Sequence, residues 1–145
     1  MTTSLRALFR SLVVCVGLLT AWQAWAGDKV VYHIDDAQAQ ATKALRSIRN
    51  HLDVAPDTKI VVVALADGVQ FLREGAVDKK NNGLDYGALV NALRARGVSF
   101  EICEITIKGL GLKKDQFSMD AEFVPSGVVR ITQLQAKQGY AYIKP

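Results

Sequence analysis

The sequence is poor in the residues that most small-protein chemistry uses. It holds two cysteines, two histidines and three prolines in 145 residues. His33, His51 and Cys103 stand far apart, so no metal-ligand spacing is present and no metal is expected. No C-x-x-C pair occurs, which leaves a dithiol redox activity without its residues. No G-x-G-x-x-G follows the first apolar run, which argues against a dinucleotide. A P-loop and a G-x-S-x-G elbow are missing as well. The first turn after that run, Asp35-Asp36-Ala37, is acidic where a phosphate-binding loop would offer glycines and hydroxyls. Neither a dinucleotide nor a flavin is therefore expected.

What is present begins with the leader. Arg6 and Arg10 are the only charged side chains before Asp28, and an apolar run from Leu12 to Leu19 follows them. The stretch closes with Ala24-Trp25-Ala26. A positive start, a short apolar centre and an A-x-A end make a secretory signal, with cleavage expected after Ala26. The alternative is an uncleaved anchor. A spanning helix needs about 20 apolar residues, and this stretch is shorter and carries Gln23. A lipoprotein signal is disfavoured by the bulky Val14 before Cys15. The expected division is thus a signal peptide at 1–26 and one α/β domain at 27–145. The expected location is the periplasm, with no stable membrane span after cleavage.

Removing the two basic residues of the leader from the 18 leaves 16 against 14 acidic ones, a net charge of +2. So small an excess calls for neither nucleic acid nor an anionic membrane as partner. Cleavage also removes Cys15 and leaves Cys103 as the lone thiol. An exported domain usually pairs its cysteines or avoids them, so Cys103 is either buried filling or a working thiol.

The remainder alternates strands and helices. Lys29 to Ile34 and Lys59 to Leu65 read as strands, the second apolar enough to be covered on both faces. Ala37, Ala41, Ala44, Leu45, Ile48 and Leu52 repeat at helical spacing behind Asp35 and Asp36 as N-cap candidates. Val69 to Glu74 reads as a short helix, and Ala76 to Gly83 as a polar, mobile loop. Helices are expected from Asp85 to Arg96, weakly from Glu104 to Leu112, and from Val128 to Gln138, the last with Val128, Ile131 and Leu134 inward. Val98 to Cys103, Ala121 to Val124 and Tyr140 to Ile143 complete five strands. This alternation predicts a flavodoxin-like three-layer α/β sandwich with a mainly parallel five-stranded sheet, its strands in flavodoxin-like order. The acidic first turn disfavours a flavin.

In such sheets, ligand sites gather beyond the carboxyl ends of the strands. Cys103 ends its strand at that edge, before a helix start, where free N–H groups favour a thiolate. Alternation puts it with Ser99 and Glu101, opposite Phe100 and Ile102. Glu104 argues the other way, because a neighbouring carboxylate raises a thiol's pKa. His33 ends the first strand and is a candidate partner that would activate the thiol. The bland alternative is a strand histidine bonded to backbone. His51, near a helix end, reads as a surface residue.

Five stretches in order carry a family resemblance: K-V-V-Y-H-I-D-D-A (29–37), K-I-V-V-V-A (59–64), L-R-A-R-G-V-S-F-E-I-C (93–103), V-P-S-G-V (124–128) and Q-G-Y-A-Y-I-K-P (138–145). Together they make the chain resemble the DsrE/DsrF-like sulfur-relay family, and in particular its small exported members. The resemblance implies a flavodoxin-like sandwich, homo-oligomers (trimers or hexamers), and a cysteine that carries sulfur as a persulfide, here Cys103. Sulfur donor and acceptor proteins or small thiols are the implied partners, and the implied relay chemistry needs no organic cofactor. Exported members tend to have asparagine and threonine just after that cysteine; this chain has Glu104-Ile105-Thr106. Two other readings stay open: a non-catalytic oligomeric binding or scaffold protein of the same fold, and a single-thiol redox sensor.

Overall fold

The structure, a computed structural model, describes residues 27–145; the leader expected at 1–26 lies outside the described residues. Apolar, β-branched runs form β1 (Lys29–Ile34) and β2 (Lys59–Ala64). A small hairpin of β3 (Val77–Asp78) and β4 (Leu84–Asp85) follows, then β5 (Ser99–Cys103), β6 (Ala121–Val124) and β7 (Ala141–Ile143). Five strands make one parallel sheet in the order β6-β5-β2-β1-β7. This is the expected three-layer α/β sandwich of the flavodoxin-like kind. The strand succession is its own, 4-3-2-1-5 in place of 2-1-3-4-5. Apolar patterning shows that a strand is interior without saying which neighbour it takes, so the order was not legible.

Between the strands lie helices α1 (Thr42–Val54), α2 (Tyr86–Arg94), α3 (Glu104–Gly109) and α4 (Gly127–Gln138). A π-helical turn, Ala37–Ala41, leads into α1. The expected Asp36 caps it, accepting from the Ala39 N–H at 3.0 Å. Asp85 caps α2 in the same manner. The two faces of the sheet are unequally covered. On one, α1 and α2 bring Leu45, Ile48, Leu52, Val90 and Leu93 onto Ile34, Val62, Phe100 and Ile102. On the other, α4 brings Ile131 and Leu134 onto Val31, Val61 and Val63. Among the described residues no helix is long and apolar enough to cross a membrane.

Two local expectations change. The segment 76–83 is built as a hairpin around the buried Asp78. Its carboxylate accepts from the Thr42 hydroxyl, from Asn81 Nδ2 at 2.6 Å and from the Lys80 and Asn81 N–H groups. The Thr42 bond above all, then Asn81 and the backbone N–H groups, holds the carboxyl at a pKa of about 2. Its anchor Thr42 is remote in sequence, so only the segment's polarity was visible. Val128, expected inward, is 65 % exposed. The Ser126 hydroxyl caps α4 through the Val129 N–H, so the helix starts at Gly127 and its buried stripe is Gly127, Ile131 and Leu134.

Candidate functional site around the Cys103 thiol

Cys103 closes β5 and is the N-cap residue of α3. It is a free thiol, 5 % exposed. Ser99, Glu101 and Cys103 point away from the Phe100–Ile102 face and toward α4, as alternation requires. That face is covered, so Cys103 is buried without belonging to the main apolar cluster.

Two helix starts and one loop meet at the sulfur. Burial alone would raise the thiol's pKa. Hydrogen bonding from the Gly127 N–H, the Thr106 hydroxyl and the Thr106 and Ile105 N–H groups works against it, and the balance falls below the ordinary thiol value. The Cys103 side chain makes no cap hydrogen bond to α3, so these groups act on the sulfur as neighbouring donors. The Thr106 oxygen accepts from the Ala66 N–H at 3.1 Å, which leaves its own hydrogen for the sulfur. Ala66 holds that N–H in place with φ at +49°, a left-handed conformation that costs a non-glycine residue about 1 kcal/mol. Glu104, expected to oppose ionisation, is paired with Lys114 instead.

Gly127 is a glycine for a steric reason. A Cβ there would stand 3.0 Å from Leu65 Cδ2 and 3.2 Å from the Cys103 Cβ. Gly127→Ala gains some helix propensity but overpacks this contact, with an expected net loss of roughly 1–2 kcal/mol. It also moves the Gly127 N–H off the sulfur and leaves the thiol less acidic. Urea unfolding and the pH profile of alkylation measure both effects, and wild-type values for both would show the close approach to be dispensable.

The structure does not join His33 to Cys103. His33 aligns through Val63 of β2 with Glu101 of β5, about 10 Å away across two strand spacings. Its Nδ1 lies 2.7 Å from the Tyr142 hydroxyl, while its buried Nε2 has no partner. Beside it, Lys144 pairs with Asp35. Burial lowers the His33 pKa and Lys144 adds to this, while Asp35 pulls it up. A histidine with a depressed folded pKa costs stability as pH falls below the unfolded value near 6.5, because the unfolded chain takes up the proton first. His33→Gln is therefore expected to flatten the acid side of the stability profile below pH 6.5. Urea midpoints at neutral and mildly acidic pH measure this, and an unchanged slope would assign the acid loss to other groups. His51 is half-buried rather than free, with Nδ1 3.2 Å from the Tyr32 hydroxyl.

Sequence reasoning missed the strongest polar contact near the site. Glu101, 3 % exposed, takes both oxygens to Arg130 of α4, with Nε and Nη2 each at 2.7 Å. The signal was available: a carboxylate inside a buried strand calls for a cation on the covering element. Cys103 lines neither of two hollows among the described residues. The first, about 600 Å³, lies among Phe71, Arg73, Ala76, Lys79, Lys80 and Tyr86. The second, about 380 Å³, borders α3 at Glu104, Ile105, Lys108, Lys114 and Pro125. The thiol's own surroundings are apolar outward: Ile105 and Val128, in the first turns of α3 and α4, are each 65 % exposed.

Comparison with known proteins agrees with this fold. No functionally curated protein matches the chain. A solved protein of unknown function, MTH1491 from Methanobacterium thermoautotrophicum, is 30 % identical; the match covers 81 % of this chain and 99 % of that one, with a TM-score of 0.72. The ychN protein from E. coli has the same fold at 16 % identity and a TM-score of 0.67, covering 81 % and 99 %. The DsrE/DsrF-like family matches residues 29–145, from the start of β1 through the β5 cysteine to the last residue, and the chain belongs to that family.

Proposed function

We propose that this protein is an exported sulfur carrier that holds sulfane sulfur on Cys103 as a persulfide. The observation that carries the reading is the place of a lone cysteine at the N-cap of α3 with the start of α4 packed against it at Gly127, which surrounds the thiol with backbone N–H groups. A thiol that only fills space needs no donors, whereas one that works as a thiolate does. Family membership supports the same chemistry, and the leader pattern supports export to the periplasm.

The Cys103 thiolate attacks the outer sulfur of a polysulfide or persulfide donor. A new S–S bond forms, the donor's S–S bond breaks, and the donor leaves as a thiolate. An acceptor thiolate then attacks the outer sulfur and Cys103 departs as a thiolate. No net oxidation occurs, and no cofactor is needed. Sulfur donor and acceptor proteins or small thiols are the partners, and trimeric or hexameric assembly belongs to the same proposal. A carrier need not turn over, so the protein acts as a sulfurtransferase only when paired with both.

Near-complete burial of Cys103 favours a second reading, a non-catalytic oligomeric scaffold in which the thiol is structural. Intact mass after incubation with polysulfide separates them. A gain of one sulfur mass, reversed by reductant, is the expected result. No adduct, with a thiol that resists alkylation until unfolding, establishes the scaffold. An adduct of oxygen alone after peroxide, with no sulfur uptake, establishes a redox sensor.

A further inference from the structure

We propose that the buried Glu101–Arg130 pair is a positioning device that sets α4 in register with β5 and so aims the Gly127 N–H at Cys103. The inference rests on the reading of Cys103 as a working thiol. Glu101 and Cys103 are two residues apart on one face of β5, and Gly127 and Arg130 are three apart on one face of α4. The strand and the helix thus meet at two matched points, Glu101 with Arg130 and Cys103 with Gly127.

The contacts beside this line are of a different kind. Ile131 and Leu134 pack on valines of β1 and β2, an apolar contact that tolerates sliding. A bidentate guanidinium–carboxylate pair does not, because both N–H···O bonds fix the angle as well as the distance. The carboxylate is also too deeply buried to find water if the fork lets go. Gly127 permits the close approach at the thiol, and the pair one turn along fixes where that approach falls. Neither residue touches the sulfur, so both are positioning residues.

The test is the pH profile of iodoacetamide alkylation of the purified protein, read with thermal melting and without any sulfur donor. Glu101→Gln and Arg130→Met are expected to move the thiol's midpoint upward and to slow alkylation at neutral pH by about three- to tenfold, as loss of up to one pKa unit requires. Arg130→Lys, which keeps charge but not the fork, is expected to recover only part of the rate. The double variant Glu101→Leu/Arg130→Leu guards against loss of fold, since an apolar pair of similar volume keeps the packing. It is expected to melt near wild type and still to alkylate slowly. Arg96→Met, which removes the surface pair with Asp53, serves as the control and leaves the rate unchanged. Lowered melting temperatures with an unmoved alkylation profile would make the pair merely structural and overturn the proposal. A wild-type thiol that titrates as an ordinary one would overturn it too. If the profile moves as expected but no sulfur is ever taken up, the positioning role stands and the carrier reading alone fails.

Discussion

Cys103→Ser is expected to abolish the proposed sulfur loading and to leave the fold intact. This is the largest functional effect expected of a single substitution. No other cysteine follows Ala26, so the loss is complete rather than graded. The effect on stability is small because Cys103 occupies the N-cap position of α3, and serine is among the residues that best fill such a position. Its hydroxyl accepts from the Ile105 or Thr106 N–H that now faces sulfur. The unfolding free energy is expected to stay within about 1 kcal/mol of wild type. Intact mass after polysulfide treatment and a melting curve are the two measurements. A variant that still gains reductant-sensitive sulfur would remove Cys103 from the carrier role, provided the leader and its Cys15 are gone. A variant that fails to fold would make the thiol structural.

Phe100→Ala is expected to produce the largest loss of stability from the same strand. Phe100 is fully buried on the face opposite Cys103 and meets Phe71 edge-to-face at 6.4 Å, which in turn meets Tyr86 at 5.9 Å. Truncating such a ring typically costs about 3–5 kcal/mol. That is a large share of the roughly 5–15 kcal/mol that holds a domain together. The melting temperature is expected to fall on the order of 15 °C. Sulfur loading per folded molecule, measured in the cold, should remain near wild type, because the loss is on the other side of the sheet. The two variants of β5 thus separate chemistry from stability. A cost below about 1 kcal/mol would mean that the aromatic chain does not sit at the centre of the larger core.

The sequence was informative where physical cause is local. Runs such as Lys59 to Ala64 declare a doubly covered strand, and Asp36, Asp85 and Ser126 announce helix starts by their side chains. Cys103 stood out by scarcity and by its place at the end of a strand. What was not legible depends on pairs far apart in the chain. The approach of Gly127 to Cys103, the bond from Ala66 to Thr106 and the fork of Arg130 on Glu101 join β2, β5 and α4, and no periodicity encodes them. Val128 was misplaced because positions three and four before Ile131 both fit its stripe, and the one that is buried, Gly127, carries no apolar side chain to mark it. His33 shares the α4-facing side of the sheet with Glu101 and Cys103, but a face does not specify distance, and Tyr142 of the last strand holds its ring.

The unequal cover of the two sheet faces bears on how a reagent reaches the thiol. On its side of the sheet one helix among the described residues, α4, supplies the roof, with Gly127, Ile131 and Leu134 as its buried residues. Elements with few buried contacts open at a lower free energy than the whole domain. Amide protons of α4 should then exchange with solvent before those of β1, β2 and α1. Each such excursion uncovers Cys103 while the larger core stays shut. On the carrier reading, fraying of the first turn of α4 at the exposed Val128 and Val129, with the Arg130 fork on Glu101 still closed, opens the way to the sulfur without global unfolding.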